Sequence, residues 1–167
     1  MAEGSEKNVI EGTVCWILKD GKALLKLANK GISEGKWNAV GGKIAHGETL
    51  FECVKREVLE ETGLAINEPT YYGKLKFFFG KDDTNSLSKE WIVHIFSTNK
   101  FTGELKESKE GELRWFRLDG LPFDKMWQDD AHWVPLLLEG KHFNGEFFFS
   151  EDGNELLKHE LRITKTQ

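Results

Sequence analysis

The sequence predicts an α/β domain, and three observations carry that expectation. Strand-like apolar runs cover most of the chain, at Val9–Leu18, Lys22–Ala28, Trp37–Lys43, Thr70–Gly80, Glu90–Asn99, Leu113–Leu118, His142–Ser150 and Leu156–Ile163. Two stretches carry helical features instead, one following Thr49 and one at Asp130–Gly140. No repeat, low-complexity tract or linker interrupts the 167 residues, so residues 1–167 are expected to form one domain with a flexible segment at 1–8.

Taken in order, Asp20-Gly21 supplies the turn between the first two strands. The loop Asn29–Lys36 then leads into Trp37–Lys43, whose glycines precede the first helix. Thr49 with Glu52 forms a capping box, and Gly63 is placed as the left-handed residue that ends the helix. Lys81–Lys89 is polar and reads as a hairpin loop, and Gly103–Gly111 as a glycine- and acid-rich loop. Pro135 limits how regularly the second helix can begin. A final hairpin turns around Glu151–Asn154.

The first helix carries the chemistry. Leu50, Cys53, Val54 and Val58 mark its inward stripe. At 100° per residue, Glu57, Glu60 and Glu61 project to that side, while Glu52, Lys55 and Leu59 point elsewhere. An arbitrary Glu-x-x-Glu-Glu is usually a solvated charge run. Here the acids continue the apolar side and follow a glycine loop. They crowd one another at the negative end of the helix dipole, and Arg56 alone does not balance them. A bound cation resolves both problems. Oxygen-only ligands select a hard ion, Mg²⁺ or Mn²⁺.

The formal charge of −5 leaves no basic footprint for a nucleic acid polymer. A mononucleotide is different, because a metal neutralises its phosphates locally. Cys15 and Cys53 sit in apolar surroundings and form no disulfide framework, which favours a reducing compartment. The first residues lack an apolar signal region and no stretch reaches transmembrane length, so a cytoplasmic protein is expected, with a nuclear or organellar pool also compatible.

Gly42, Glu48, Arg56, Glu57, Val58, Glu60, Glu61, Gly63 and Leu64 match every fixed position of G-x5-E-x7-R-E-U-x-E-E-x-G-U, where U is a bulky aliphatic residue. The chain therefore resembles the Nudix family, whose members mostly hydrolyse a nucleoside diphosphate linked to another group. The resemblance implies an α/β/α sandwich with a central mixed sheet and a loop–helix–loop metal site. It implies that Glu57 and Glu61 are the main metal ligands and that Glu60 assists. Glu48 and Arg56 brace the loop, and Gly41 and Gly42 let the backbone approach phosphates. Family members often add one acid from a later loop. Glu112, three residues before Trp115, is the first candidate here, and Glu110, five before, is the second.

Residues 36–43, 121–138 and 142–147 are similar to the branch of this family that hydrolyses oxidised purine nucleoside triphosphates. In that branch the positions matching Asn38, Trp127, Asp129 and Asp130 form the base pocket. The residue types suit the task. A tryptophan face stacks on a purine, and an asparagine offers a donor and an acceptor. Two adjacent aspartates in a partly buried pocket do not both ionise cheaply, so one holds a proton and donates while the pair still accepts. The same residues also suit a plainer role, the aspartates as helix caps and Trp127 and Trp133 as core. Where the branch has a lysine and an aromatic residue ahead of Trp-Asn, this chain has Ala28 and Ile32, with Lys26 and Lys30 nearby.

The expectation is thus a monomeric Mg²⁺-dependent enzyme acting on a small nucleotide, with no membrane or nucleic acid polymer as partner. It releases a nucleoside monophosphate and diphosphate from oxidised purine nucleoside triphosphates such as 8-oxo-dGTP and 2-oxo-dATP, sanitising the nucleotide pool. The alternatives are a Nudix hydrolase of a nucleotide sugar or dinucleotide, and a silent nucleotide-binding module.

Overall fold

β1 (Asn8–Lys19) and β2 (Lys22–Ala28) form a hairpin through Asp20 and Gly21, both at positive φ. The computed structural model describes residues 8–80, 89–106, 109 and 111–165. Residues 1–7 of the expected flexible segment at 1–8, residues 81–88 of the expected polar loop at 81–89 and the candidate acid Glu110 lie outside the described residues, while Asn8 and Lys89 begin strands. The remaining elements are β3 (Trp37–Asn38), β4 (Val40–Lys43), α1 (Leu50–Thr62), β5 (Ala65–Ile66), β6 (Thr70–Phe79), β7 (Lys89–Thr98), β8 (Phe101–Thr102), β9 (Gly111–Arg117), α2 (Asp130–Leu138), β10 (His142–Phe149) and β11 (Leu156–Lys165).

The main sheet runs β11-β10-β6-β7-β1-β2-β3, with β4 added to β1 and β9 to β2. It is mixed: β1 pairs with β7 and β10 with β6 in parallel, and the other ladders are antiparallel. α1 packs Val54 and Val58 against Cys15, Ile17, Leu24, Val40 and Phe96 on one face, with Cys53 buried on the same helix. On the other face Trp133, Val134 and Leu137 of α2 join a core with Trp16, Leu25, Phe143 and Phe147. Each such buried side chain contributes about 1.5–3 kcal/mol. The result is the α/β/α sandwich. Among the described residues no helix is long and apolar enough to cross a membrane.

One expected strand is two. Residues 37–43 leave β2 and cross to β1, so Asn38 pairs with Lys26 while Val40 pairs with Cys15. β1 pairs with β2 only near the hairpin, at Leu18 and Lys19, and with β4 farther back, from Gly12 to Cys15. The sheet therefore forks. Gly41 permits the close approach, since a Cβ there would lie 1.9 Å from the Thr13 carbonyl oxygen. The two-residue strands β5 and β8 pair only with each other and are too short to carry a readable period.

Candidate active site

α1 begins where the capping box requires. Thr49 Oγ1 accepts from the Glu52 N–H, Glu52 Oε1 accepts from the Thr49 N–H, and Gly63 closes the helix at φ 81°. This fixes the rotation of the helix and hence where its acids point. Glu61 is buried, Glu57 is mostly buried, and Glu60 is exposed. Glu60 is not part of the buried stripe, because it stands 100° round the helix from Glu61, at the rim.

Arg56 gathers the loop and the acids. Its Nη2 donates to Glu48 Oε1 at 3.0 Å and to the Lys43 carbonyl at 3.1 Å, and its Nη1 to Glu57 Oε2 at 3.0 Å and Glu60 Oε1 at 3.1 Å. The hydrogen bond from Arg56 holds the Glu48 carboxyl down at about 2, aided by the Ala45 N–H. Glu61 is served differently. The Lys26 ammonium, buried in β2, donates to Glu61 Oε1. Gly42 lies directly beneath the acids: a Cβ on it would sit 2.4 Å from the Glu57 carboxyl.

The fork of the sheet opens into a cavity of about 660 Å³. Gly41, Gly42, Arg56 and Glu57 line it, and so do Asn38, Trp127, Asp129 and Asp130. The structure thus brings the glycine strand and the expected base residues to one space. Trp127 presents Nε1 to Ser33 Oγ at 2.9 Å, and the Lys36 ammonium lies 4.9 Å from its ring centroid. Phe79 and Phe149 meet it edge-to-face at 5.9 and 5.4 Å. Asn38 Nδ2 donates to the Lys36 carbonyl at 2.9 Å.

Asp129 and Asp130 are buried, and neither caps α2 through its side chain. Instead Asp129 Oδ2 accepts from Trp133 Nε1 at 2.7 Å. Burial raises the Asp129 carboxyl to about 6. Burial and the neighbouring Asp129 charge push Asp130 well above the ordinary carboxylate range. The pair therefore retains a proton where exposed aspartates would not.

Glu112 is not brought to this cluster. It lies opposite Leu27 in the β2–β9 ladder, so it shares a face with Arg114 while Lys26 turns to the other. Glu112 is exposed and pairs with Arg114 Nη2 at 2.6 Å. The alternation of Leu113 and Trp115 against Glu112 and Arg114 is the sequence signal for that placement. No motif marks Ser33, Lys36 or Phe79 for these positions. For Lys26 a signal existed, since a lysine inside the apolar run Ala23–Ala28 needs a partner.

The donor chemistry of Glu57, Glu60 and Glu61 fits a hard divalent cation, and the bare Gly42 backbone leaves the room that the Glu57 carboxyl occupies. Among the described residues, no three His, Cys, Asp or Glu side chains are grouped closely enough as they stand to hold an ion. Glu57 Oε2 and Glu60 Oε1 pair with Arg56, and Glu61 Oε1 pairs with Lys26, so an ion would share these carboxylates with the two cations.

The geometry has close relatives. A model of the NUDIX domain matches residues 10–137. A Mus musculus protein named oxidized purine nucleoside triphosphate hydrolase is 38% identical over 151 residues, spanning 90% of this chain and 92% of the relative. A Danio rerio protein of the same name is 37% identical over 150 residues, spanning 89% and 92%. Among solved structures, a mutator MutT protein from Bacillus halodurans aligns with a TM-score of 0.82 at 29% identity, over 91% of this chain and 97% of that one. With α1, the glycine strand and most of α2 inside the matched segment, the chain belongs to the Nudix family of hydrolases.

Proposed function

We propose that this chain is a Mg²⁺-dependent pyrophosphatase of oxidised purine nucleoside triphosphates, 8-oxo-dGTP and 2-oxo-dATP among them, that sanitises the nucleotide pool. One observation carries the reading: a single cavity is lined at once by Glu57 and Gly42 and by Asn38, Trp127, Asp129 and Asp130. The names of the Mus musculus and Danio rerio relatives support the same substrate class.

Enzymes of this family generally use divalent metal ions. Glu57 and Glu61, assisted by Glu60, would hold Mg²⁺, with Mn²⁺ as a substitute. Such an ion polarises phosphoryl oxygens and lowers the pKa of water. Gly41 and Gly42 expose backbone to the phosphates, and Arg56 holds Glu48 against the helix. Trp127 stacks on the purine, Asn38 pairs with its edge, and the Asp129–Asp130 pair donates with its shared proton and accepts with its remaining oxygens. Glu112 has no part in this scheme. The enzyme works as a single-domain monomer in the cytoplasm on a small molecule.

Pyrophosphate release from 8-oxo-dGTP tests the reading. Release is expected in Mg²⁺, absent in chelator, and reduced roughly 100-fold or more in Glu61→Gln. Wild-type release by Glu61→Gln rules out the metal assignment. Better turnover of ADP-ribose than of 8-oxo-dGTP rules out the substrate.

A further inference from the structure

His132 on α2 and His159 on β11 stand together away from the cavity lining, their ring centroids 4.1 Å apart and the planes tilted by 39°. The fold brings them there. His159 lies opposite Phe147 in the β10–β11 ladder, and Phe147 belongs to the core beneath α2. The His159 ring therefore turns toward α2 and stacks on Phe147 at 5.5 Å and 7°. His132 rests against the same phenylalanine at 6.5 Å. Both histidines are exposed, and neither has a hydrogen-bond partner among the described residues.

Packing alone is a poor account of this pair. Protonation of both rings sets like charges against each other, a cost that two phenyl rings would not carry. Partial burial, and next the His159 charge, hold the His132 imidazole below its ordinary value. It is therefore neutral at pH 7, the form that ligates a metal. Two imidazoles on one ion, each bonded at about 2.0–2.1 Å, keep their centroids roughly 4.5–5 Å apart. The pair has to open by only about 0.5–1 Å, which rotation of exposed side chains supplies. Lys158 and Glu160 alternate to the opposite face of β11, so neither places its charge beside the rings.

We propose that His132 and His159 form a second metal site, separate from the carboxylates of α1, for a borderline divalent transition ion such as Cu²⁺ or Zn²⁺. The two imidazoles supply nitrogen and waters complete the shell. Nitrogen donors suit these ions and select against Mg²⁺, which prefers oxygen. The site is independent of the reading of the cavity. The bound ion fastens α2, the helix that carries Asp130 and Trp133, to the edge strand of the main sheet.

The test titrates the full chain with Cu²⁺ in excess Mg²⁺, which competes for the α1 carboxylates, and follows binding by calorimetry and electron paramagnetic resonance. One Cu²⁺ coupled to two imidazole nitrogens is expected. His132→Phe and His159→Phe keep a flat ring against Phe147. Each should bind that ion roughly 10-fold or more weakly and lose the two-nitrogen pattern. Zn²⁺ should raise the melting temperature of the wild type more than that of either variant. Unchanged Cu²⁺ affinity in both variants, a spectrum from oxygen ligands alone, or an equal Zn²⁺ shift in all three proteins overturns the proposal. Pyrophosphate release in Mg²⁺ is a separate readout, so the proposed function stands or falls apart from this site.

Discussion

Lys26 and Glu61 form an ion pair that joins the middle of β2 to the last turn of α1, with both side chains largely buried. Withdrawing the ammonium leaves the Glu61 charge in a site that desolvates it. Lys26→Met should lower stability by about 3 kcal/mol or more, measured by urea unfolding in chelator. Millimolar Mg²⁺ should restore more stability to the variant than to the wild type, because the ion then meets Glu61 without competition from the Lys26 ammonium. Equal stabilisation of both proteins would detach Glu61 from metal binding.

Gly42 admits no side chain without displacing Glu57. Gly42→Ala should therefore fold, since Gly42 lies in the regular β4–β1 ladder, yet lose about 100-fold in kcat/KM from a misplaced carboxylate. Circular dichroism with steady-state kinetics separates the two effects.

The buried aspartates give a pH signature. Their folded-state pKa values are raised, so the stabilising contribution is fully present below the ordinary aspartate pKa and is lost as pH rises through the folded value, about 6 for Asp129. Each unit of elevation costs about 1.4 kcal/mol once the group ionises. Asp130→Asn removes one ionising group, so its stability should gain on the wild type between pH 5 and pH 8. Urea midpoints across that range check the sign.

Much of this was legible in the sequence where chemistry is local. The α1 boundaries followed from Thr49, Glu52 and Gly63, and β2 from its apolar run and the Asp20-Gly21 turn. The fork at Ala39 was not, because an apolar run reads the same whether it serves one neighbour or two. Glu60 was placed inward by a helical projection that ignores how a stripe narrows at its end. The base end was legible only as residue types. Ser33 and Trp127 are 94 positions apart, and the topology alone brings them together.

That contact makes a further prediction. Ser33→Ala leaves the Trp127 N–H without its acceptor and frees the ring to turn, for a loss of roughly 3- to 10-fold in kcat/KM on 8-oxo-dGTP. Trp127→Ala removes the stacking face as well, for a loss of roughly 5- to 150-fold. Tryptophan fluorescence on titration with 8-oxo-dGMP reports the ring directly.

Glu112 stands on the far face with Arg114. Glu112→Gln should stay within about fivefold of wild-type kcat/KM, the scale of an exposed ion pair. A loss comparable to that of Glu57→Gln would return Glu112 to the catalytic set.

The most direct test of the whole scheme is the ratio of kcat/KM for 8-oxo-dGTP to that for dGTP, measured in Mg²⁺ with pyrophosphate as the detected product. A ratio of about 10 or more is expected, as for a buried site that hydrogen-bonds a distinguishing group. A ratio of one, with efficient turnover of both, would contradict the claim that Asn38, Trp127, Asp129 and Asp130 select an oxidised base.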